Sequence, residues 1–247
     1  MTRNPRYERN ILTPEIGEEG QARLNNASIL VIGAGGLGTP VLYYLAAAGV
    51  GNIAIMDGDR VEISNLQRQI IHAEQDLGRN KAVSACEKLE KLNSEIKIDA
   101  IEHFLTRENM ASLPQEIDLI FDCTDNFLAR RDINYLSLTR KIPFVYAAIF
   151  GFLGQIAIFD PKNLDKTGCY NCLFEGAQEE KGKVPVATTT PAIVGAFAAC
   201  EGMKLLLGLE TSALGKLLLI NSLTSDVKKI ALSRSEDCTE CAKNDKI

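Results

Sequence analysis

The chain has 247 residues, of which 46% are hydrophobic and 24% charged, a composition typical of a globular protein with one large domain. Lys and Arg number 27 and Asp and Glu number 32, and the resulting net charge of -5 argues against a dedicated nucleic-acid-binding protein, which usually carries a basic excess. Residues 1–10 are polar and have no apolar core of a secretory signal, so we expect a cytoplasmic protein.

Strands and helices alternate through the first 160 residues. The hydrophobic periodicity and the turn residues predict helices over 15–27, 37–48, 81–92 and 126–140, and strands over 28–32, 52–56, 96–101, 117–121, 144–148 and 155–159. Alternation of this kind is typical of right-handed βαβ units. The sequence therefore predicts an α/β fold with a Rossmann-like, mostly parallel sheet.

The pattern changes after Asp160. Residues 160–190 are polar and rich in Gly, Lys and Glu, and they predict a long crossover loop. A helix over 191–207 follows, and two short strands over 216–220 and 227–232 predict an antiparallel hairpin that closes the sheet. We expect a single domain over residues 1–247.

Two apolar stretches, 142–159 and 192–209, approach the length of a membrane span. Pro143 interrupts the first, and Glu201 and Lys204 lie within the second. Charged and helix-breaking residues at these positions favour buried core over transmembrane helices. We therefore expect no membrane partner and no nucleic-acid partner.

A glycine motif, Gly33-x-Gly35-x-x-Gly38, lies directly between the first predicted strand and the next helix. In that context glycines permit a tight turn and a close approach to phosphate, and the helix amino terminus attracts the anion. Asp57 ends the second strand, where a carboxylate can accept from ribose hydroxyls. The motif predicts a nucleotide site but does not separate NAD from ATP.

Charged residues that follow the glycine motif favour ATP. Arg68, Lys81 and Asp125 have no evident use in a dehydrogenase, whereas phosphoryl chemistry uses cations against the phosphates and a carboxylate for Mg²⁺. Taken singly, Arg68 and Lys81 could be structural or surface charges, and Asp125 or Asn126 could be a helix cap.

Four of the seven cysteines form two pairs, Cys169-x-x-Cys172 and Cys238-x-x-Cys241. Four thiolates suit a closed, tetrahedral, structural Zn²⁺ site, which would pin the crossover loop to the carboxyl terminus. The alternatives are a redox dithiol or two unrelated surface pairs.

Five motifs occur in a fixed order. They are Arg6-Tyr-Glu-Arg9, the glycine loop, Ser64-Asn-Leu-Gln-Arg68-Gln69, Asp122-Cys-Thr-Asp125-Asn126 and the two cysteine pairs. Over nearly its whole length the chain resembles the MoeB/ThiF/HesA family, relatives of the ubiquitin-activating enzymes. Members of that family adenylate the C-terminal glycine of a small ubiquitin-like protein with ATP and Mg²⁺.

The resemblance implies roles for particular residues. The expected nucleotide-binding residues are Gly33, Gly35, Gly36, Gly38, Asp57, Asp59, Asn65, Arg68, Gln69 and Lys81. The expected catalytic residues are Arg9, Arg68, Lys81 and Asp125, with Asp125 on Mg²⁺ and Arg9 reaching the ATP of the partner subunit in a homodimer. Asp59 and Asp122 stay open between direct contact and a supporting role.

The resemblance also implies partners and a division of the domain. The partners are a ubiquitin-like sulfur carrier ending in Gly-Gly and a sulfur donor that acts downstream. The cofactors are Mg²⁺ and Zn²⁺, with ATP as the nucleotide, and the pathway stays open among molybdopterin, thiamine and other routes. The division is a helical arm over 1–27, the crossover loop over 160–190 and a zinc-binding tail over 233–247.

The chain departs from the family at Lys183, which stands where many members have a cysteine in the crossover loop. We therefore expect a reaction that ends at the acyl-adenylate. The three unpaired cysteines, Cys86, Cys123 and Cys200, are poor candidates for a thiolate, and Cys200 is expected to be buried in an apolar helix. Cys123 is the nearest of the three to the nucleotide, so it stays open as the one cysteine that could form a thioester. His72 and His103 are interpreted as structural.

Three alternative functions remain from the residues alone. They are a Rossmann NAD(P)-dependent oxidoreductase, an ATP-dependent tRNA-modifying dehydratase and a non-catalytic ATP-binding scaffold. The acidity of the chain, the Arg6–Arg9 motif and the cysteine pairs disfavour the dehydratase. ATP–pyrophosphate exchange would separate the adenylating enzyme from the oxidoreductase and the scaffold.

Overall fold

The computed structural model describes residues 4–177, 182 and 184–242. Its helices are α1 (Glu8–Ile11), α2 (Gly17–Asn26), α3 (Gly38–Ala48), α4 (Lys81–Leu92), α5 (Phe127–Arg140), α6 (Leu164–Thr167), α7 (Tyr170–Phe174) and α8 (Thr190–Leu207). Its strands are β1 (Ser28–Ile32), β2 (Asn52–Met56), β3 (Lys97–Ile101), β4 (Leu119–Asp122), β5 (Phe144–Phe150), β6 (Leu153–Phe159), β7 (Lys216–Asn221) and β8 (Asp226–Ala231).

The strands form one eight-stranded sheet in the order β3-β2-β1-β4-β5-β6-β7-β8. The first five pair in parallel and the last three pair in antiparallel fashion. The predicted α/β fold with antiparallel closing strands is confirmed. In the register of β1 and β4, Ile32 lies beside Asp122, so the loops that follow these two strands meet at one edge of the sheet. That edge is where open parallel sheets bind ligands.

Alternate side chains of the central strands pack into two layers of core. Ile29 and Val31 of β1 belong to one layer, which α3 and α8 cover, whereas Leu30 and Ile32 belong to the other. Successive side chains of a strand point to opposite faces, and both faces of a parallel sheet are covered. This two-sided burial explains why Ser28–Ile32 has a continuous apolar sequence instead of an alternating one.

The predicted bounds are confirmed for β1, β2 and α4, and the other central elements differ from prediction by a few residues at their ends. The amino terminus differs more. The helix predicted over 15–27 begins at Gly17, and the four-residue α1 was not predicted. Tyr7, which precedes α1, is buried with its ring against Gly49 at the end of α3, a long-range contact that no local pattern shows.

Two further features differ from the expectations. The predicted crossover loop over 160–190 contains two short helices, α6 and α7, and Tyr170 of α7 is fully buried among the aromatic rings of Tyr146, Phe159 and Phe174. Cys200 is exposed, because it lies on the part of α8 that turns away from the sheet. Composition averages over a segment and does not show a single buried anchor within it.

Among the described residues, α8 is the one helix that is long and apolar enough to cross a membrane by length and composition alone. Half of its residues are buried in the fold, where it packs against α3 and β5. The expectation of a core helix at 192–209 agrees with this packing.

Candidate nucleotide site and cysteine cluster

The glycine loop between β1 and α3 needs glycine at two positions for steric reasons. Gly33 has a φ of +100°, and a Cβ there would lie 2.6 Å from the carbonyl oxygen of Cys123. A Cβ on Gly38 would lie 1.9 Å from the carbonyl oxygen of Gly33. The motif is therefore required for the turn itself, which crosses closely over the loop that follows β4.

Several backbone N–H groups of this loop are free to bind an anion. The N–H of Gly33 donates to Met56 at 2.8 Å, and that of Ala34 donates to Asp57 Oδ2 at 2.8 Å. Within the described part of the chain, the N–H groups of Gly35 and Gly36 have no acceptor. Free N–H groups beside a helix amino terminus form an anion site, so the loop fits a phosphate.

Asp57 lies at the end of β2 and is only 7% exposed. Its Oδ1 accepts from the N–H of Asp59 at 2.8 Å, while its Oδ2 holds Ala34. Burial raises the pKa of Asp57, and the nearby charge of Lys81 opposes that rise. Asp57 therefore fixes the glycine loop, and its oxygens keep further lone pairs for the predicted contact with a ribose.

Lys81 is a buried cation at the first turn of α4. Only 6% of the residue is exposed, and its Nζ lies 2.9 Å from Asp59 Oδ2. Asn80 caps the helix by accepting from Ala82 and Val83 and donates its own amide to the carbonyl of Asp57. In the structure Asp59 is the ion-pair partner of Lys81, and the charge of Lys81 also acts on the nearby carboxylate of Asp57. A buried lysine at this place offers a positive charge to an anion.

Arg68 lies against the glycine loop on the other side. A Cβ on Gly36 would lie 3.5 Å from Arg68 Cγ, and the guanidinium donates to Asn65 Oδ1 at 3.0 Å and to the Ser64 carbonyl at 3.2 Å. These contacts orient a planar cation beside the free N–H groups. Asn65 therefore positions the guanidinium of Arg68, in addition to any contact that Asn65 makes with a nucleotide.

Gln69 is the next side chain at the loop. It is 5% exposed, its Nε2 would lie 3.3 Å from a Cβ on Gly35, and its Oε1 is a buried acceptor with no partner in the described residues. An orphaned buried acceptor is rare in proteins and fits a hydroxyl donor of a bound nucleotide.

The loop after β4 gives Asp122 and Asp125 different surroundings. Asp122 is fully buried and accepts from the N–H and the hydroxyl of Thr124 at 3.1 and 2.7 Å. Asn126 caps α5 by accepting from Ala129 at 2.8 Å. Asp125 is exposed, and its carboxylate has no partner among the described residues. Asp122 therefore supports the loop, and Asp125 is the carboxylate available to a cation.

Arg9 lies away from these residues. It is exposed on α1, which Tyr7 ties to Gly49 at the carboxyl-terminal end of α3. The glycine loop lies at the opposite end of α3, and an eleven-residue helix is roughly 16 Å long. The structure therefore does not bring Arg9 to the glycine loop of its own chain.

The four paired cysteines form one cluster, in which all four Sγ atoms lie within 4.8 Å of one another. Cys169 and Cys238 are 3.6 Å apart, and Cys172 and Cys241 are 3.5 Å apart. Tetrahedral zinc with Zn–S bonds of about 2.3 Å places its sulfurs roughly 3.8 Å apart. The donor set and its spacing therefore fit one zinc ion, and these sulfurs, with Leu138, also form a small core of their own.

Two of the three remaining cysteines, Cys86 and Cys123, lie in surroundings that disfavour a thiolate. Burial raises the pKa of Cys123 well above its ordinary value, and the neighbouring charge of Asp122 adds to this. Burial and the carboxylate of Glu90 raise the pKa of Cys86 to about 11. Cys200 is exposed on α8. Lys183 lies outside the described residues, so its expected place in the crossover loop stays a prediction.

The glycine loop, the two nearby cations and the exposed carboxylate fit a nucleotide-binding site in an α/β protein. The chain matches the ThiF family over residues 7–240. It is 40% identical over 243 residues to the sulfur carrier protein adenylyltransferase of Thermus thermophilus, covering 96% of this chain and 90% of that protein. It is 38% identical to the sulfur carrier protein ThiS adenylyltransferase of Escherichia coli, covering 96% and 94%.

A solved structure shares the fold. Escherichia coli MccB with ATP superposes with a TM-score of 0.84 at 26% identity, covering 97% of this chain and 75% of that one. The chain belongs to the ThiF family, as its motifs predict. The enzyme class, adenylyltransferase, is confirmed by the relatives.

Sequence reasoning gave no role at this site to three residues. Pro191, at the start of α8, lies against Gly36, Arg130 donates to the Thr124 carbonyl at 2.9 Å, and His72 lies beneath the glycine loop. The interpretation of His72 as structural agrees with its burial. Pro191 and His72 reach the loop from distant parts of the chain, so no local pattern marks them, whereas Arg130 lies only six residues from Thr124, one turn into α5.

Proposed function

We propose that the chain uses ATP to adenylate the C-terminal glycine carboxylate of a small ubiquitin-like sulfur carrier, giving acyl-AMP and pyrophosphate. The free N–H groups of Gly35 and Gly36, together with the nearby cations Arg68 and Lys81, carry this proposal. Such an arrangement offers N–H donors and positive charge to a polyphosphate. The sulfur-carrier substrates named for the Thermus and Escherichia coli relatives support the choice of substrate.

The reaction brings two anions together. A carboxylate oxygen of the carrier attacks the α-phosphorus of ATP, the bond from that phosphorus to the β-bridging oxygen breaks, and pyrophosphate leaves with its electron pair. Arg68 and Lys81 offset the charge that accumulates on the phosphates. Asp57 and Gln69 offer acceptors to the ribose, and the glycine loop holds the phosphates in line.

Mg²⁺ fits Asp125, whose exposed carboxylate has no protein partner in the described residues and lies on the loop beside the glycine turn. When bound there, the ion would neutralise phosphate charge. Zn²⁺ fits the cluster of Cys169, Cys172, Cys238 and Cys241. A closed four-cysteine site leaves no position for water, so its role is structural.

A homodimer supplies the missing arginine. Arg9 is exposed and far from the glycine loop of its own chain, and we propose that it reaches the ATP of the partner subunit. An arginine supplied in trans accelerates phosphoryl transfer by about 10³–10⁵. In this arrangement residues 1–27 act as an arm, 160–190 as the crossover loop and 233–247 as the zinc-binding tail of one domain.

We propose that the reaction ends at the acyl-adenylate, which a separate sulfur donor then consumes. The raised pKa values of Cys86 and Cys123 support this, because a thioester needs a thiolate at the activated carbonyl. A stable enzyme–carrier adduct that is sensitive to thiols would contradict it.

ATP–pyrophosphate exchange tests the proposal. The protein is incubated with Mg-ATP, labelled pyrophosphate and a carrier ending in Gly-Gly, and a carrier truncated by its last two residues is the control. We expect label in ATP only with the intact carrier. Hydride transfer with NAD(P) would indicate an oxidoreductase, carrier-independent turnover with tRNA a dehydratase, and ATP binding without exchange a scaffold.

A further inference from the structure

His72 lies directly beneath the glycine loop. It is 5% exposed, its Nε2 is 2.9 Å from the carbonyl oxygen of Ala34, and its Nδ1 is 2.9 Å from Ser84 Oγ. A carbonyl oxygen can only accept a hydrogen bond, so Nε2 carries the proton and donates it to Ala34. Nδ1 of the neutral ring then accepts from the Ser84 hydroxyl.

A row of donors behind His72 fixes this tautomer. Lys88 Nζ donates to Ser84 Oγ at 3.0 Å, which leaves the hydroxyl proton of Ser84 to the imidazole, and Lys88 is itself paired with the buried Asp76. Burial lowers the pKa of His72, and the charges of Lys88 and Lys81 lower it further, against the opposing effects of Ala34 and Asp76. The ring is therefore held neutral with its proton on Nε2.

Both backbone polar groups of Ala34 are hydrogen-bonded to side chains. Asp57 holds its N–H and His72 holds its C=O. In a trans peptide the carbonyl and the following N–H point in opposite directions. Because the Ala34 carbonyl points to His72, the N–H of Gly35 points away from His72. The N–H of Gly35 is one of those in the loop that have no acceptor in the described residues.

We propose that His72 is a positioning residue that aims the Gly35 N–H at the phosphates of the nucleotide. The proposal rests on the proposed function. Glycines flank the Ala34 unit on both sides and adopt many backbone conformations, so the loop has little stiffness of its own. A donor that holds the Ala34 carbonyl supplies the preorganisation that electrostatic stabilisation requires. Ser84, Lys88 and Asp76 act through His72.

Three variants test this role. His72→Leu removes the donor, His72→Gln keeps an N–H donor at about the position of Nε2, and His103→Gln alters the exposed second histidine as a matched control. One lost hydrogen bond predicts an ATP affinity about 3- to 10-fold weaker in the Leu variant. Adenosine affinity, measured by competition, should change by less than about twofold, because adenosine has no phosphate for Gly35. The Gln and control variants should bind ATP nearly as the original protein does.

Several outcomes would overturn the inference. These are a folded His72→Leu protein with unchanged ATP affinity, a parallel loss for ATP and adenosine, or a His72→Gln protein as weak as His72→Leu. If the original protein bound no ATP, the proposed function would fall together with the inference. If it bound ATP and exchanged pyrophosphate while His72→Leu did the same, the inference alone would fall.

A second measurement uses the protein without any substitution at His72 or in the glycine loop, so it does not depend on whether such a variant folds. Imidazole ¹⁵N spectra of the original protein near pH 7 contain two rings, and His103→Gln removes the signals of one. The remaining ring is expected as the neutral tautomer with its proton on Nε2. A proton on Nδ1, or a charged ring, would contradict the geometry on which the role depends.

Discussion

The nucleotide site and the cysteine cluster are held in place by different physics. Around the glycine loop, parallel strands end at one edge of a sheet whose two faces are covered by apolar core, and hydrogen bonds hold Asp57 and Lys81 in place. The cysteine cluster has a separate small core, which consists of the four cysteines with Leu138 and Leu164. Packing of apolar side chains holds the nucleotide site in place, whereas we expect the stability of the cysteine cluster to depend on a metal ion bound by its sulfurs.

One helix connects the two regions. Arg130, in the first turns of α5, reaches the Thr124 carbonyl beside Asp125. Further along the same helix, Asn134 donates to Cys169 Sγ at 3.7 Å and accepts from the N–H of Tyr170 at 3.0 Å. The comparison therefore predicts that changes at the glycine loop alter chemistry, that changes at the cysteines alter stability, and that changes in α5 alter both.

The largest effect is expected from the cysteine cluster. Cys238→Ser with Cys241→Ser removes two ligands, and zinc contributes roughly 10–16 kcal/mol in isolated zinc-binding peptides. A loss of even ~5 kcal/mol would lower the melting temperature by about 10–20 °C for a domain of this size. Metal content and thermal unfolding are measured against Cys200→Ser, which changes an exposed cysteine outside the cluster. If the original protein were metal-free, with four free thiols, and the double variant had the same melting temperature, the cysteine cluster would not be a stabilising metal site.

The next largest effect is a loss of activity without a loss of stability. Arg9→Ala should reduce pyrophosphate exchange by about 10³–10⁵, which is roughly 4–7 kcal/mol, with little change in melting temperature. Asp125→Asn should also be nearly inactive, because an amide lacks the charge a cation needs. Asn126→Asp is the matched control, since aspartate also caps a helix.

Mixing the two inactive proteins tests the shared site. After statistical subunit exchange half of the dimers are mixed, and each mixed dimer has one site with both original residues, so about a quarter of the activity should return. No recovery, with exchange proven by native mass spectrometry, would place Arg9 outside the site of the partner.

A third effect lies where the regions join. Arg130 is buried, its Nε lies 4.0 Å from Asp122 Oδ2, and its guanidinium faces the ring of Tyr146 at 5.3 Å. Arg130→Gln leaves the Asp122 carboxylate without its cation, and breaking a buried pair costs about 3–5 kcal/mol. Urea unfolding should show this loss and exchange should fall as well, whereas Arg131→Gln, at the exposed neighbouring position, should change neither. Equal effects of the two variants would contradict the role of Arg130 as the buried cation that pairs with Asp122.

The smallest effect is a dependence of stability on pH. Burial lowers the pKa of His72 in the folded chain, so between about pH 7 and 5 the unfolded chain binds a proton that the folded chain refuses. The free energy of unfolding should therefore decrease as the pH falls through this window. His72→Gln should flatten the dependence and His103→Gln should leave it. If the free energy of unfolding of His72→Gln depended on pH as it does in the original protein, groups other than His72 would cause that dependence.

Much of this protein could be predicted from the sequence because the signals are local. The apolar runs of Ser28–Ile32 and Asn52–Met56, the glycine spacing and the cysteine pairs each depend on neighbours a few residues away. Such patterns determine element type, the turn before α3 and the kinds of side chain at the sheet edge. The family, and with it the class of reaction, follows from the order of those motifs.

The tertiary structure alone decided which polar atoms are engaged and which are free. Asp122 and Asp125 are three residues apart and look equivalent in the sequence, but one is buried on Thr124 and the other is exposed. His72 meets Ala34, and Tyr7 meets Gly49, across 38 and 42 residues of chain. Burial and hydrogen bonding between distant segments depend on how helices and strands pack, and local periodicity carries no record of that packing.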